Sequence, residues 1–148
     1  METETKPFDI AALAAVDEAD LHIVDAEGRR TGWVWTFAGP GHPATVAIDN
    51  EQNARYVARE QQKERSQANG KKWKGADETP EELRERSMNY IVARLLRWSP
   101  IDLGGEPFAF SAENARKLLA DRRYGLLYDQ ANTFLLEEKS FTKRSAKN

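Results

Sequence analysis

Tyr90-Ile91-Val92-Ala93-Arg94-Leu95-Leu96-Arg97-Trp98 is the stretch that decides the fold of this chain. At about 100° per residue its side chains are apolar around most of a helix, and Leu83 and Met88 extend the same arc. In this arrangement mainly Arg94 and Arg97 point to water. A helix that is apolar on nearly all sides has to be covered by other elements. We therefore predict a buried central helix on which the rest of the chain packs.

The sequence also marks both ends of this helix. Thr79 suits the N-cap, Pro80 suits the first helical position, and Glu82 completes a Thr-x-x-Glu capping box. Ser99-Pro100 predicts the C-terminal end, because the residue before a proline is pushed out of helical geometry. The predicted helix thus begins after Thr79 and ends before Pro100.

A β-hairpin is predicted near the N terminus. Residues 21–25 alternate in polarity like a half-buried strand, and after a short turn residues 31–37 return as a second strand. Trp33, Trp35 and Phe37 share one face of the second strand, because side chains alternate along a strand. We expect this face to pack on the central helix, since an isolated hairpin is only marginally stable in water. The alternative is an exposed aromatic row that binds a partner strand or peptide.

The segments on either side of the hairpin are less apolar. Residues 8–16 predict either a helical turn or coil, with Phe8, Ile10 and Leu13 available to anchor it. After a Gly/Pro break, Pro43 opens a long and largely polar helix toward Gln67. The second half of that helix has almost no apolar residues, so we expect it to project into solvent, to fray or to await a partner. A flexible linker over residues 70–77 follows it.

Two helices are predicted near the C terminus. Ser111 caps a helix over residues 112–120, and Asp121 caps a last helix that runs to about Glu138. Leu126 lies outside the apolar arc of the last helix and is the apolar residue there most exposed to solvent. The arc itself spans roughly 120° and should face the core. Its members are Tyr124, Leu127, Tyr128, Ala131, Phe134 and Leu135.

These elements predict an α+β fold that is mainly α, with an N-terminal β-hairpin packed on a C-terminal bundle of three to four helices. A chain of 148 residues suffices for one domain with its own core. We divide this single domain, residues 1–148, into an N-terminal segment with the hairpin, a polar helix with a basic linker, a helical core and a basic tail. Their ranges are 1–42, 43–77, 78–138 and 139–148.

Composition argues against several classes of protein. The chain has no cysteine, so it has no disulfide, no thiol nucleophile and no thiolate metal site. No run approaches the roughly 18 apolar residues that a membrane span needs, and the acidic N terminus does not resemble a signal peptide. We therefore expect a cytosolic protein.

The formal net charge of −2 hides an asymmetry along the chain. Residues 1–27 carry eight acids against Lys6, whereas residues 55–74 carry seven bases against Glu60 and Glu64. These two segments are suited to attract each other or a second copy. The basic segment also suits nucleic acid, with Tyr56 and Trp73 as stacking groups between the bases. The bases are Arg55, Arg59, Lys63, Arg65, Lys71, Lys72 and Lys74.

No group of residues in the sequence predicts catalysis. His22 lies on a strand and His42 in a Gly/Pro loop, and neither has an acid or metal-ligand spacing around it. The acids lie in solvated runs, where no apolar surroundings would shift a pKa for acid–base work. Gly104-Gly105 lacks the strand–turn–helix spacing of a phosphate cradle. We predict no catalytic, cofactor or metal site, and a non-enzymatic protein that works through its surfaces.

Several segments from Trp98 onward follow one another in a recognisable order. They are Trp98-Ser99-Pro100, Gly104 to Ser111, Glu113 to Asp121, Tyr124, and a final helix through Asp129-Gln130 to Phe134 and Phe141. The N-terminal half adds a hairpin, an Ala-Gly-Pro-Gly-His-Pro break and a polar helix. In this layout the chain resembles the tail assembly chaperones of long-tailed bacteriophages and prophages. The most specific part of the resemblance is the segment from Phe110 to Asp121.

The resemblance implies a protein that binds the tape measure protein, keeps that long chain soluble and helps to recruit tail tube protein during tail assembly. It implies action in the cytoplasm of the host bacterium, absence from the mature virion, no catalytic residue and no cofactor. Two alternatives are a nucleic-acid-binding accessory protein that uses residues 55–74, and a structural minor tail protein.

Reasoning from the helical wheel alone selects Leu126, Tyr128 and Phe141 as candidate contacts with the tape measure protein. Serine at all three positions is predicted to abolish solubilisation of the tape measure without unfolding the protein.

Overall fold

The computed structural model describes residues 6–70 and 78–142. Its main elements are a three-stranded antiparallel sheet and four helices, which confirms the predicted α+β, mainly α fold. In chain order the elements are β1 (Glu18–Val24), β2 (Arg30–Ala38), α1 (Pro43–Ala68), α2 (Pro80–Arg94), β3 (Leu95–Trp98), β4 (Asp102–Leu103), β5 (Glu106–Pro107), α3 (Ala112–Ala120) and α4 (Gly125–Leu136). Short 3₁₀ turns lie at Ile10–Leu13, Arg122–Tyr124 and Glu138–Phe141.

The predicted central helix is helical over Pro80–Arg94 but not over its last turn. Its start is as predicted, since the Thr79 hydroxyl accepts a hydrogen bond from the Glu82 amide and Pro80 is the first residue of α2. The prediction was wrong at the other end, because α2 stops at Arg94 and the chain continues as β3. Ser99-Pro100 therefore ends a strand and not a helix.

Pairing with β2 explains this change of structure. The strand β3 runs antiparallel to β2, with Leu95 opposite Phe37 and Trp98 opposite Trp35. Without β3, the second edge of β2 would leave backbone amides and carbonyls unpaired beside the core, which is costly. Leu95 and Trp98 are buried in the strand, as they would be in a covered helix. A short apolar run does not distinguish the two structures by its periodicity.

Arg94 was also predicted wrongly, since its side chain is buried and does not point to water. Its Nε and Nη2 atoms donate to the Ala38 carbonyl oxygen at 3.1 and 2.7 Å, and Nη1 donates to the Tyr90 hydroxyl at 2.9 Å. The guanidinium also lies 5.0 Å from the centre of the Phe141 ring. Because α2 ends at this residue, its side chain meets the end of β2 and joins the helix to the sheet.

The predicted hairpin is confirmed and is slightly longer than expected. Its aromatic face is buried, with Trp35 and Phe37 fully enclosed. The ring of Trp35 lies 5.7 Å from that of Trp98 on β3, and the ring of Phe37 lies 5.6 Å from that of Phe134 on α4. The face is therefore buried as expected, but its ring contacts are with Trp98 on a strand and with Phe134 on α4, and not with a helix that runs through residue 98. The alternative of an exposed aromatic row is wrong.

Of the two predicted C-terminal caps, Ser111 is confirmed, whereas Asp121 caps the 3₁₀ turn Arg122–Tyr124 and not the last helix itself. The Ser111 hydroxyl accepts from the Asn114 amide at the start of α3. The predicted last helix is shorter than expected, since α4 occupies Gly125–Leu136 with a 3₁₀ turn on each side. Its apolar stripe faces the core as predicted, and Leu126 lies on the exposed side.

Candidate functional site

The three predicted contact residues occupy different environments. Leu126 is 45% exposed, whereas Tyr128 is 9% and Phe141 3% exposed. The Arg84 guanidinium lies 4.3 Å from the centre of the Tyr128 ring. Phe141 packs against Phe134, and its carbonyl accepts from the Val16 amide at 2.8 Å. The selection of Tyr128 and Phe141 as surface contacts is therefore corrected, because both hold the fold together and only Leu126 is available to a partner.

Local geometry explains both corrections. Tyr128 belongs to the apolar stripe of α4, and that stripe faces the core. Phe141 lies in a 3₁₀ turn after α4, where the chain folds back against the start of β1, so a continued helical wheel does not apply to it. Serine at these two positions is now expected to destabilise the fold, so the triple substitution does not isolate a binding defect.

The outer side of α1 presents apolar side chains that the sequence did not identify as exposed. Val46 and Val57 are eleven residues apart, which places them about 20° from each other around the helix. Their side chains are 44% and 50% exposed, whereas the exposed ring of Tyr56 lies on the side of α1 that faces α2. We call Val46 and Val57 the α1 face. Exposed apolar patches on a helix are typical of protein–protein contacts.

The N-terminal segment also exposes its apolar residues. Phe8, Ile10 and Leu13 are 68%, 77% and 75% exposed, although the sequence offered them as anchors. The residue that does pack against the core is Val16. The helical turn that was one of two expectations is present as a 3₁₀ turn, with the Asp9 carboxylate accepting from the Ala11 amide.

The basic segment does not form a continuous basic surface in the part of the chain that the structure describes. Arg55 and Arg59 line a groove of about 790 Å³ between α1 and α2, and the facing wall carries Glu78, Glu82 and Glu85. Arg55 is also 2.8 Å from Glu51. A phosphate backbone would meet both signs of charge in this groove. Lys63 and Arg65 lie further along α1, and Lys71, Lys72, Trp73 and Lys74 lie outside the described residues.

Two carboxyl groups have a pKa that is lowered by pairing with an arginine. The pKa of Glu18 is lowered, chiefly by the hydrogen bond from Arg97, and the pKa of Asp121 is lowered by Arg123. A general acid at neutral pH needs the opposite shift. His42 has a structural role, since its Nδ1 atom accepts from the Ala44 amide and caps α1.

Within residues 6–70 and 78–142 no group of three or more His, Asp or Glu side chains is placed to hold a metal ion. None of the helices in those ranges combines the length and apolar character needed to cross a membrane. The candidate site that we consider is the exposed apolar surface formed by the α1 face and by Leu126.

Comparisons with protein families, with characterised proteins and with solved structures found no match to the chain.

Proposed function

We propose that this protein is a tail assembly chaperone of a long-tailed bacteriophage or prophage. It binds the tape measure protein in the cytoplasm of the host bacterium, keeps it soluble, helps to recruit tail tube protein, and is absent from the finished virion. The resemblance of residues 98–141 to this family suggests the role. The observation that carries the proposal is the α1 face, two half-exposed valines three turns apart on one side of a helix whose opposite side meets its neighbour largely through polar side chains.

The physical requirement of the role fits such a surface. A very long helical protein exposes repeated apolar stripes and aggregates unless they are covered. A chaperone that is later displaced has to cover them by contacts of limited area. Val46, Val57 and Leu126 are aliphatic, half-exposed and placed on helices, so they suit packing against the apolar stripe of another helix.

The nucleic-acid alternative is less well supported by the described residues. Sequence-independent binding to nucleic acid depends on a cluster of uncompensated bases. The groove beside Arg55 and Arg59 instead has three glutamates on its other wall.

Co-expression tests the proposal. The chain is produced together with the tape measure protein encoded in the same operon, and the soluble fraction of the tape measure is measured. The wild type should keep it soluble. Val46→Ser combined with Val57→Ser should lower the affinity for the tape measure about tenfold, and with it the soluble fraction, since covering the exposed half of each valine contributes roughly 0.7 kcal/mol. Leu126→Ser should show a smaller loss.

Leu103→Ser is the matched control, because Leu103 is also a half-exposed aliphatic residue but lies on β4. It should behave as the wild type. Failure of the wild type to keep the tape measure soluble, or recovery of the protein in purified particles, would contradict the chaperone role. A gel shift with DNA that weakens steeply with salt would favour the nucleic-acid alternative.

A further inference from the structure

The N-terminal arm, residues 6–16, is an apolar segment that its own chain leaves uncovered. Phe8, Ile10 and Leu13 are each at least two-thirds exposed, and Val16 alone joins the arm to the core cluster. The Val16 amide donates to the Phe141 carbonyl, so the base of the arm is fixed next to β1. A segment with three large exposed apolar side chains in six residues is suited to insertion into a groove.

The charge around the arm is strongly negative. Asp9 lies between the first two apolar residues, and Asp17 and Glu18 follow the arm directly. Between residues 6 and 27 there are six acids against Lys6 and no other base. A surface that accepts this arm should therefore combine an apolar floor with a basic rim.

The same chain carries a groove of that kind. It has a volume of about 570 Å³ and lies between α1, α2 and the start of α3. Its floor includes Ile48, Val92 and Leu95, and its rim carries three arginines and one acid, Glu51. We call it the arginine groove, after Arg55, Arg86 and Arg116.

Arg116 is the rim residue best placed to receive a carboxylate. Arg55 already pairs with Glu51 and Arg86 with Glu78. Arg116 bonds to the neutral Asn89 side-chain oxygen, and within residues 6–70 and 78–142 it has no carboxylate partner. No carboxylate among the described residues already compensates the charge of this guanidinium, so it is available to pair with an incoming acid.

We propose that the N-terminal arm of one copy binds in the arginine groove of a second copy. Phe8, Ile10 and Leu13 lie on the apolar floor, and the carboxylate of Asp9 pairs with Arg116. None of the residues that line the groove belongs to the arm of the same chain. In the sheet order β1-β2-β3, the arm continues from one edge strand while Leu95 of the groove lies on the other. Mutual exchange of arms then gives a closed, two-fold dimer.

Sedimentation of the full chain over a wide range of concentration tests this proposal. The wild type should change from monomer to dimer as concentration rises. Phe8→Ser with Ile10→Ser and Leu13→Ser should weaken dimerisation by at least about tenfold, and Arg116→Glu should weaken it to a similar extent. All four positions are exposed, so circular dichroism should show an unchanged fold.

A charge exchange makes the test specific. Asp9→Arg should weaken the dimer, and Asp9→Arg combined with Arg116→Glu should restore it, because the pair is reversed but complete. Leu126→Ser is the control, since Leu126 is exposed and apolar but lies on α4. A monomer at every concentration, or a dimer that neither the arm nor the Arg116 substitution weakens, would overturn the proposal.

The proposal does not depend on the chaperone role. Val46→Ser with Val57→Ser should leave the dimer intact while tape measure binding is weakened, because the α1 face does not line the groove. Loss of the dimer in that variant would also count against the assignment of the arm to the arginine groove.

Discussion

The sheet and the helix α1 differ in how much apolar side-chain surface they bury. On the sheet, Trp35 and Phe37 are fully buried and lie within 6.2 Å of each other in a cluster of aromatic rings. On α1, a helix of 26 residues, the only buried side chains are those of Thr45 and Ile48 near its first turn. The rest of its inner side meets α2 across a polar groove, with a hydrogen bond from the Gln52 side chain to the Arg86 carbonyl.

This difference separates the part that fixes the fold from the part that is free to bind. Dense aromatic packing contributes most of the stability that burial provides, and it leaves no apolar surface for a partner. A helix with few buried contacts opens at a lower free-energy cost and keeps side chains available on its surface. Substitutions on the α1 face should therefore lower the free energy of unfolding less than substitutions in the sheet.

The largest expected effect is that of Trp35→Ala. It should lower the free energy of unfolding by about 3–5 kcal/mol, the usual cost of truncating a buried tryptophan. The indole nitrogen of Trp35 has no hydrogen-bond partner among the described residues, so the loss is one of packing. Urea unfolding followed by circular dichroism measures it. Tyr56→Ala on α1 is the matched control and should change stability by less than about 0.5 kcal/mol; equal losses would contradict the contrast between the two regions.

Arg94→Met tests the connection between α2 and the sheet and should have an intermediate effect on the free energy of unfolding. The side chain keeps a similar length, but the Ala38 carbonyl loses two donors and retains the Thr45 hydroxyl at 3.4 Å. The expected loss is about 1–3 kcal/mol, the cost of leaving a buried acceptor poorly satisfied. Arg86→Met, at an exposed ion pair, should cost less than about 1 kcal/mol in the same urea experiment. An unchanged stability for Arg94→Met would show that α2 and β2 hold their positions without this bond.

The smallest expected effect concerns Glu18 and Arg97 on the outer side of the sheet. Pairing lowers the pKa of Glu18, so the ionised carboxylate is favoured in the folded state. The resulting stability is present above the unfolded pKa and is lost as pH falls through the lower, folded pKa. Since both side chains are largely exposed, its size is only about 0.2–1 kcal/mol.

Glu18→Gln measures this contribution in urea unfolding at several pH values. The variant should be slightly less stable than the wild type at neutral pH, and the two should converge in acid. If the variant is still less stable than the wild type at a pH below the folded pKa of Glu18, the side chain contributes through something other than its charge.

The candidate site was less predictable than the fold. The exposure of Leu126 was predicted correctly, because one helical wheel suffices to place a residue outside an apolar stripe. Val46 and Val57 were visible as apolar residues, but whether a helix face is covered depends on what packs on it. Phe141 was misassigned because the helix ends five residues before it and the chain then folds back on β1.

The sequence by itself determined the features that depend on near neighbours. The caps at Thr79 and Ser111 involve residues three positions apart, and the aromatic face of β2 follows from alternation along one strand. Only the tertiary structure decided that residues 95–98 form a strand and that Arg94 is buried. Both depend on contact with β2, and the bond from Arg94 to Ala38 spans 56 residues of the chain. Whether a backbone group is paired and a side chain buried depends on the element that lies next to it in the folded chain. Local periodicity in the sequence does not identify that element when it is many residues away.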